Sequence, residues 1–187
     1  MRPSSSASCS IAPTTAAQLS ALAQTFTGLE VAWTLGDWLM PASSWSFTGS
    51  PLGLVRALAQ AVGADVIADR TGFGVTVLAR YDEAPNLWAT TPPDWQVPLA
   101  AVESIQQQRA DTPEYDGLVV AGPRQGDVLQ ARLAGTSGGR QAPMVTDPAL
   151  TDVDALRLRA DATLLGYGKQ VRDSRTLQIH QDRKSVV

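Results

Sequence analysis

Residues 50 to 81 read SPLGLVRALAQAVGADVIADRTGFGVTVLARY, and this stretch decides the fold. Ser50 can cap a helix through its hydroxyl, and Pro51 stands at the first helical position, where a missing N–H is no loss. Gly63 can enter the left-handed region that stops a helix. Between these marks Leu52, Val55, Leu58, Ala59 and Val62 recur at spacings of three and four, which predicts one apolar stripe. Asp65 to Asp69 and Phe73 to Tyr81 then read as two strands around the turn Asp69-Arg70-Thr71-Gly72, with Val75 and Val77 alternating against Thr76 and Leu78. The apolar face of the helix needs a sheet to cover it, so the stretch implies a small α+β layer.

Upstream, TAAQLSALAQT from Thr15 to Thr25 places Ala16, Leu19, Leu22 and Ala23 at helical spacing, with Thr14 or Thr15 as cap and Gly28 beyond the end. Leu29 to Trp33 reads as a strand, and TLGDWLMPASSWSF continues in extended form, broken by Gly36 and Pro41. Downstream of Tyr81, Pro85, Pro92, Pro93 and Pro98 interrupt any regular element in a long crossing segment. Leu99 to Ala110 fits a helix or a strand equally. Tyr115 to Gly122 and Asp127 to Leu133 form a hairpin about the turn Pro123 to Gly126. After Gly135 to Gly139 and the extended run APMVTDPAL, Thr151 is placed to cap a last helix, with Asp152 and Asp154 in its first turn. Val153, Leu156, Ala160 and Leu164 are its expected buried stripe, Arg157 and Arg159 point elsewhere, and Gly166 or Gly168 ends it. Val171 to Ile179 begins one more strand.

This gives four segments: a disordered Ser-rich stretch over 1–14, an α+β module with helix and hairpin over 15–98, a hairpin and helix module over 99–180, and a tail over 181–187. The expected class is α+β, built of small mixed sheets with packed helices.

A chain of 187 residues can bury a real core, and its formal charge of −3 with scattered arginines argues against a grip on nucleic acid. No apolar run is long enough to span a bilayer. Cys9 is alone and forms no internal disulfide. The start MRPSSSASCSIAP lacks the continuous apolar region of a secretory signal.

Chemistry is sparse. Gly135-Thr136-Ser137-Gly138-Gly139 fits the G-x-S-x-G pattern of a hydrolase, and Asp147 or Asp161 followed by His180 gives the order of partners; an elbow, however, requires a helix directly after the serine, and Pro143 sets an extended path there. One His and one Cys far apart cannot build a zinc set, and Glu103 and Glu114 are isolated. No catalytic residue, cofactor or metal is therefore expected, with a hydrolase using Ser137 and His180 as one rival reading. Trp33, Trp38 and Trp45 allow a stacking platform for glycan as another, or else cover the sheet edge and a subunit contact. Trp88 and Trp95 are suited to pinning the crossing segment. With Arg157 and Arg159, these five tryptophans are the candidate interface residues.

The succession WTLGDWLMPA, SSWSFTGSPLGLVRALAQAVGADVIAD, Tyr81 before a Pro- and Trp-containing crossing, YDGLVVAG and TDVDALRLRADATLL resembles tail proteins of contractile-tailed phages and prophages. More distantly it is similar to the baseplate hub proteins of Mu-type phages. The likeness runs from Leu29 to Gly168 and lies in the order of the segments. It implies a non-catalytic structural protein of the virion tail, assembled in the bacterial cytoplasm, whose partners are other tail and baseplate proteins. It also implies a homo-oligomer, with a trimer as the family pattern, made of α+β and partly β-barrel-like modules. Members of that family run longer at both ends, so a truncated chain is a further expectation.

Overall fold

Ser50 does cap its helix. In the computed structural model its hydroxyl accepts from the Gly53 N–H at 3.1 Å, Pro51 follows, and Gly63 ends the helix at φ 72°. The structure describes residues 14–42, 44–70, 72–81, 87, 90–92, 98, 100, 102–124 and 126–177. The chain divides into two units, one of Met1–Asp82 with Tyr115–Gly166 and one of Glu83–Glu114 with Tyr167–Val187.

The first unit begins with β1 (Thr14–Thr15) and α1 (Ala16–Thr27). Thr15 and Gln18 bond reciprocally, side chain to backbone, satisfying two of the donors that a helix start leaves open. Next come β2 (Glu30–Trp33), β3 (Leu39–Met40), α2 (Pro51–Val62), β4 (Asp65–Ala68) and β5 (Gly74–Leu78). β3 pairs with β1. The expected hairpin forms, β4 against β5, and β2 joins the other edge of β5 in parallel, giving the order β2-β5-β4. A parallel neighbour requires a crossover, and the connection carrying α2 supplies it. Alternation puts Val31, Trp33, Val75 and Val77 on one side of this sheet.

The rest of the unit is β7 (Gly117–Ala121), β8 (Val128–Arg132), β9 (Val145–Thr146) and α3 (Val153–Leu164), after β6 (Val102–Asp111) of the second unit. β7 is central, antiparallel to β8 and parallel to β9. Its Leu118 and Val120 are fully buried, as are Val55 and Leu58 of α2, Met40 and Leu150. Each such side chain contributes about 1.5–3 kcal/mol on leaving water. α3 packs on β7, β8 and α2, so the helices from the two halves of the sequence share one unit.

Three sequence expectations shift. Leu52 is only half-buried, whereas Leu54 and Ala61, outside the predicted stripe, are buried. The cap of α3 is Asp152, whose carboxylate accepts from the Asp154 N–H at 2.9 Å; the Thr151 hydroxyl instead donates to the Leu39 carbonyl at 2.8 Å. Val153 is 53% exposed, and the buried face of α3 is Ala155, Leu156, Ala160, Ala162 and Leu164.

The second unit holds a two-stranded antiparallel ribbon of β6 with β10 (Lys169–Leu177), in register from Lys169 opposite Asp111 to Thr176 opposite Ser104. The stretch that suited helix or strand is thus a strand. At the ribbon's base the Thr112 hydroxyl donates to the Gly168 carbonyl at 2.5 Å, and the Gly168 N–H donates to the Pro113 carbonyl. The class is α+β with several small mixed sheets, and among the described residues none of them closes into a barrel.

Candidate functional site

Three tryptophans stand between the end of β2 and α2, and they divide by environment. Trp38, just before β3, is 4% exposed, and its indole N–H donates to the Ala149 carbonyl at 2.8 Å, tying the β2–β3 connection to the turn after β9. Trp33 lies against it with ring centroids 5.8 Å apart and planes at 51°. Trp38 therefore offers no free flat face of the kind a stacking ligand requires, whereas Trp33 is half-buried. Trp45 is different: it stacks in parallel on Phe47, centroids 6.0 Å apart at 12°, and both rings are half-buried. Trp88, Trp95 and His180 lie outside the described residues.

Trp45 and Phe47 form one wall of a cleft of about 550 Å³. Its other walls are the C-terminal half of α2, Asp147 with Pro148 after β9, and the guanidinium groups of Arg80 and Arg159. Arg80 is held by Asp65 through Nε at 3.4 Å and Nη2 at 2.9 Å. That hydrogen bond raises its pKa, against the lowering effect of its own partial burial, so it stays charged. Arg159 donates from Nη1 to the Gln60 carbonyl at 2.5 Å, where the end of α2 leaves acceptors open. Its Nε is buried and has no hydrogen-bond partner. Arg157, by contrast, points to water, paired with Asp154 at 3.1 Å.

Of these cleft residues Trp45 and Arg159 stood out in the sequence. Arg80, Gln60 and Phe47 did not, because Arg80 reads as the end of a strand and the others as ordinary flanks of the helix. Their convergence depends on α2, α3 and β5 meeting in space, and no local spacing announces that.

Ser137 sits in an irregular turn with Gly135 at φ 80° and Gly138 at φ 71°, and no helix follows it. It borders a separate depression with Gln130, Arg132 and Gln141. Asp147 instead accepts from the Ala149 N–H at 2.9 Å, and among the described residues no hydrogen bond joins Ser137 to Asp147 or Asp161. The geometry is a turn, without the strand-to-helix elbow that exposes a nucleophile. Among the described residues no group of three or more His, Cys, Asp or Glu side chains is placed to hold a metal, and no helix is long and apolar enough to cross a membrane.

The ribbon of the second unit is the other exposed feature. Glu103 to Gln108 are exposed throughout, with Ile105 at 52%. Among the described residues β6 and β10 pair only with each other, so neither outer edge meets another described strand. A lone two-stranded ribbon is marginal in water, and such edges are templates for a further strand.

No family model matches the chain, and no curated protein matches it in sequence. Solved structures do show similarity. The tail protein from Neisseria meningitidis MC58 superposes with a TM-score of 0.53 at 12% identity, covering 96% of this chain and 56% of that one. The 43 kDa tail protein of prophage MuSo2 from Shewanella oneidensis aligns with a TM-score of 0.43 at 12% identity, covering 81% of this chain and 47% of that one. The chain therefore spans about half the length of each. At such identity the likeness to the Neisseria protein speaks for the fold.

Proposed function

We propose that the chain is a structural component of a phage or prophage tail, of the baseplate hub kind, acting by assembly with copies of itself and with other tail proteins and without catalysis. The observation that carries this reading is the shared fold with the Neisseria tail protein over 96% of the chain. Fold alone does not fix function, so the ribbon exposed over Glu103 to Gln108 is its supporting observation. In this reading the ribbon edges join neighbouring copies, a trimer being the expected closed ring, and the exposed face of α3 with Arg157 meets other tail proteins.

Light scattering after size exclusion, on the protein alone and mixed with the tail proteins encoded beside it, tests the reading. Discrete oligomers and a stable complex with those neighbours are expected. A monomer at high concentration that binds none of them would overturn it. Replacing Ser137 by Ala is expected to leave assembly intact, and loss of a measured esterase or glycan-cleaving activity in that variant would favour the hydrolase instead.

A further inference from the structure

The cleft beside Trp45 joins an aromatic wall to polar ones. Ser46, Gln60, Arg80 and Asp147 line it together with the stacked rings of Trp45 and Phe47. Much of that polar surface is uncommitted. Ser46 and Gln60 are exposed, and neither the Ser46 hydroxyl nor the Gln60 side-chain amide has a hydrogen-bond partner among the described residues. Asp147 gives Oδ1 to the Ala149 N–H and keeps Oδ2 free, and Arg80 gives Nε and Nη2 to Asp65 and keeps Nη1 free. Arg159 differs: its Nε is enclosed and its Nη1 is held by the Gln60 carbonyl, so it serves as wall.

Charge narrows the occupant first. Asp147 and Arg80 are of opposite sign, and Gln60, Ala61 and Gly63 bring the C-terminal end of α2, the negative end of its dipole, to the same space. An anion or a cation would therefore meet a like charge, and a neutral ligand would not. Main-chain pairing comes second. Among the described residues none that lines the cleft belongs to a strand, so an extended peptide has no edge to add to. The free groups themselves come third: an amide, a hydroxyl, a carboxylate oxygen and a guanidinium nitrogen are donors and acceptors side by side, and a hydroxyl of a ligand can both donate and accept. A pyranose ring carries several such hydroxyls around an apolar C–H face, which packs on an aromatic ring as other apolar surface does. The volume, about 550 Å³, suits a small ligand of this kind.

We propose that this cleft binds a neutral saccharide of the size of a disaccharide, one ring lying against the Trp45–Phe47 pair and its hydroxyls bonded by Gln60, Asp147 and Arg80. The proposal stands apart from the tail assignment, since it rests only on the cleft's own chemistry, and the two fail by different measurements.

The test is a two-dimensional NMR titration of the full chain that follows the Trp45 indole N–H and the Gln60 side-chain amide. The probes are cellobiose, lactose and N,N′-diacetylchitobiose, with galacturonic acid and acetyl-Gln-Leu-amide in parallel. At least one disaccharide is expected to move both signals saturably, with a Kd in the millimolar range. Gln60→Ala removes an exposed amide and leaves the backbone carbonyl that Arg159 holds, and it should weaken that disaccharide about three- to tenfold, as read at Trp45. Trp45→Ala should weaken it by at least as much, as read at the Gln60 amide. The tetrasaccharide of the same sugar binding more tightly assigns the ligand to a longer glycan and equal binding to a free sugar; both support the site. No movement with any of the three disaccharides, tighter binding of galacturonic acid or of the peptide, or unchanged affinity in a folded Gln60→Ala chain would each overturn the proposal.

Discussion

α2 and α3 are both twelve-residue helices, capped by a side chain at the start and packed against each other in one unit, yet one is plain in the sequence and the other is not. α2 is marked by Ser50, Pro51 and Gly63 and buries the large side chains of Leu54, Val55, Leu58 and Val62. α3 buries chiefly alanines, Ala155, Ala160 and Ala162, with Leu156 and Leu164, and ends at Leu165 in ordinary helical conformation without a glycine. Bulky apolar residues at a period of 3.6 announce a buried face; small ones do not, because Ala is equally at home on a solvated helix. What alanine supplies is close approach. A Cβ on Gly63 would collide with that of Ala162, so the end of α2 and the last turns of α3 are matched in size.

If α2 is the helix whose bulk fills the core, cutting that bulk should cost most. Leu58→Ala removes a fully buried side chain, and a loss of about 2–5 kcal/mol is expected in urea unfolding. A loss comparable to that of an exposed substitution such as Val153→Ala would mean that the core lies elsewhere.

The size match between the helices is probed by Gly63→Ala. The residue has φ 72° and meets Ala162, so left-handed strain of about 1–2 kcal/mol adds to a steric cost of about 1–3 kcal/mol. Because the collision is with one methyl group, Ala162→Gly in the same chain should recover the steric part and leave the conformational part. Without such recovery, the contact between the helices is not what Gly63 serves.

The caps sharpen the comparison differently. Ser50 was legible and Asp152 was not, since Thr151, Asp152 and Asp154 all suit the start of a helix and only the observed bonds separate them. Physically the two caps are alike. Ser50→Ala and Asp152→Ala should each cost about 1 kcal/mol, while Thr151→Val removes only the bond to Leu39 and should leave α3 helical by amide exchange.

The ribbon marks the limit of local reading. Leu99 to Ala110 gave no decision because its partner, Lys169–Leu177, lies far along the chain, and the pairing that makes β6 a strand is invisible in any short window. The parallel partnership of β2 with β5 is hidden for the same reason, although each strand is legible by itself. The cleft needs three elements at once, so Trp45 and Arg159 were visible as residue types while Arg80 and Gln60 were not. Caps, turns and single strands are written in adjacent residues, whereas a site is written in their meeting.

The smallest expected effect lies on α3. Asp161 keeps much of its surface in water, yet the protein around it desolvates the carboxylate and raises its pKa, with Arg157 pulling the other way. A raised folded-state pKa means that the folded chain holds this proton more tightly than the unfolded one. The group's contribution is therefore most favourable in acid and becomes unfavourable as pH rises from the ordinary carboxylate range through the raised value. Asp161→Asn removes that titration. The variant should melt slightly above the parent at neutral pH, and the difference should shrink toward the acid end of the folded range, where the parent is protonated as well. A difference that stays constant with pH would assign the effect to packing against α2, and one of opposite sign would show the attraction of Arg157 to outweigh desolvation.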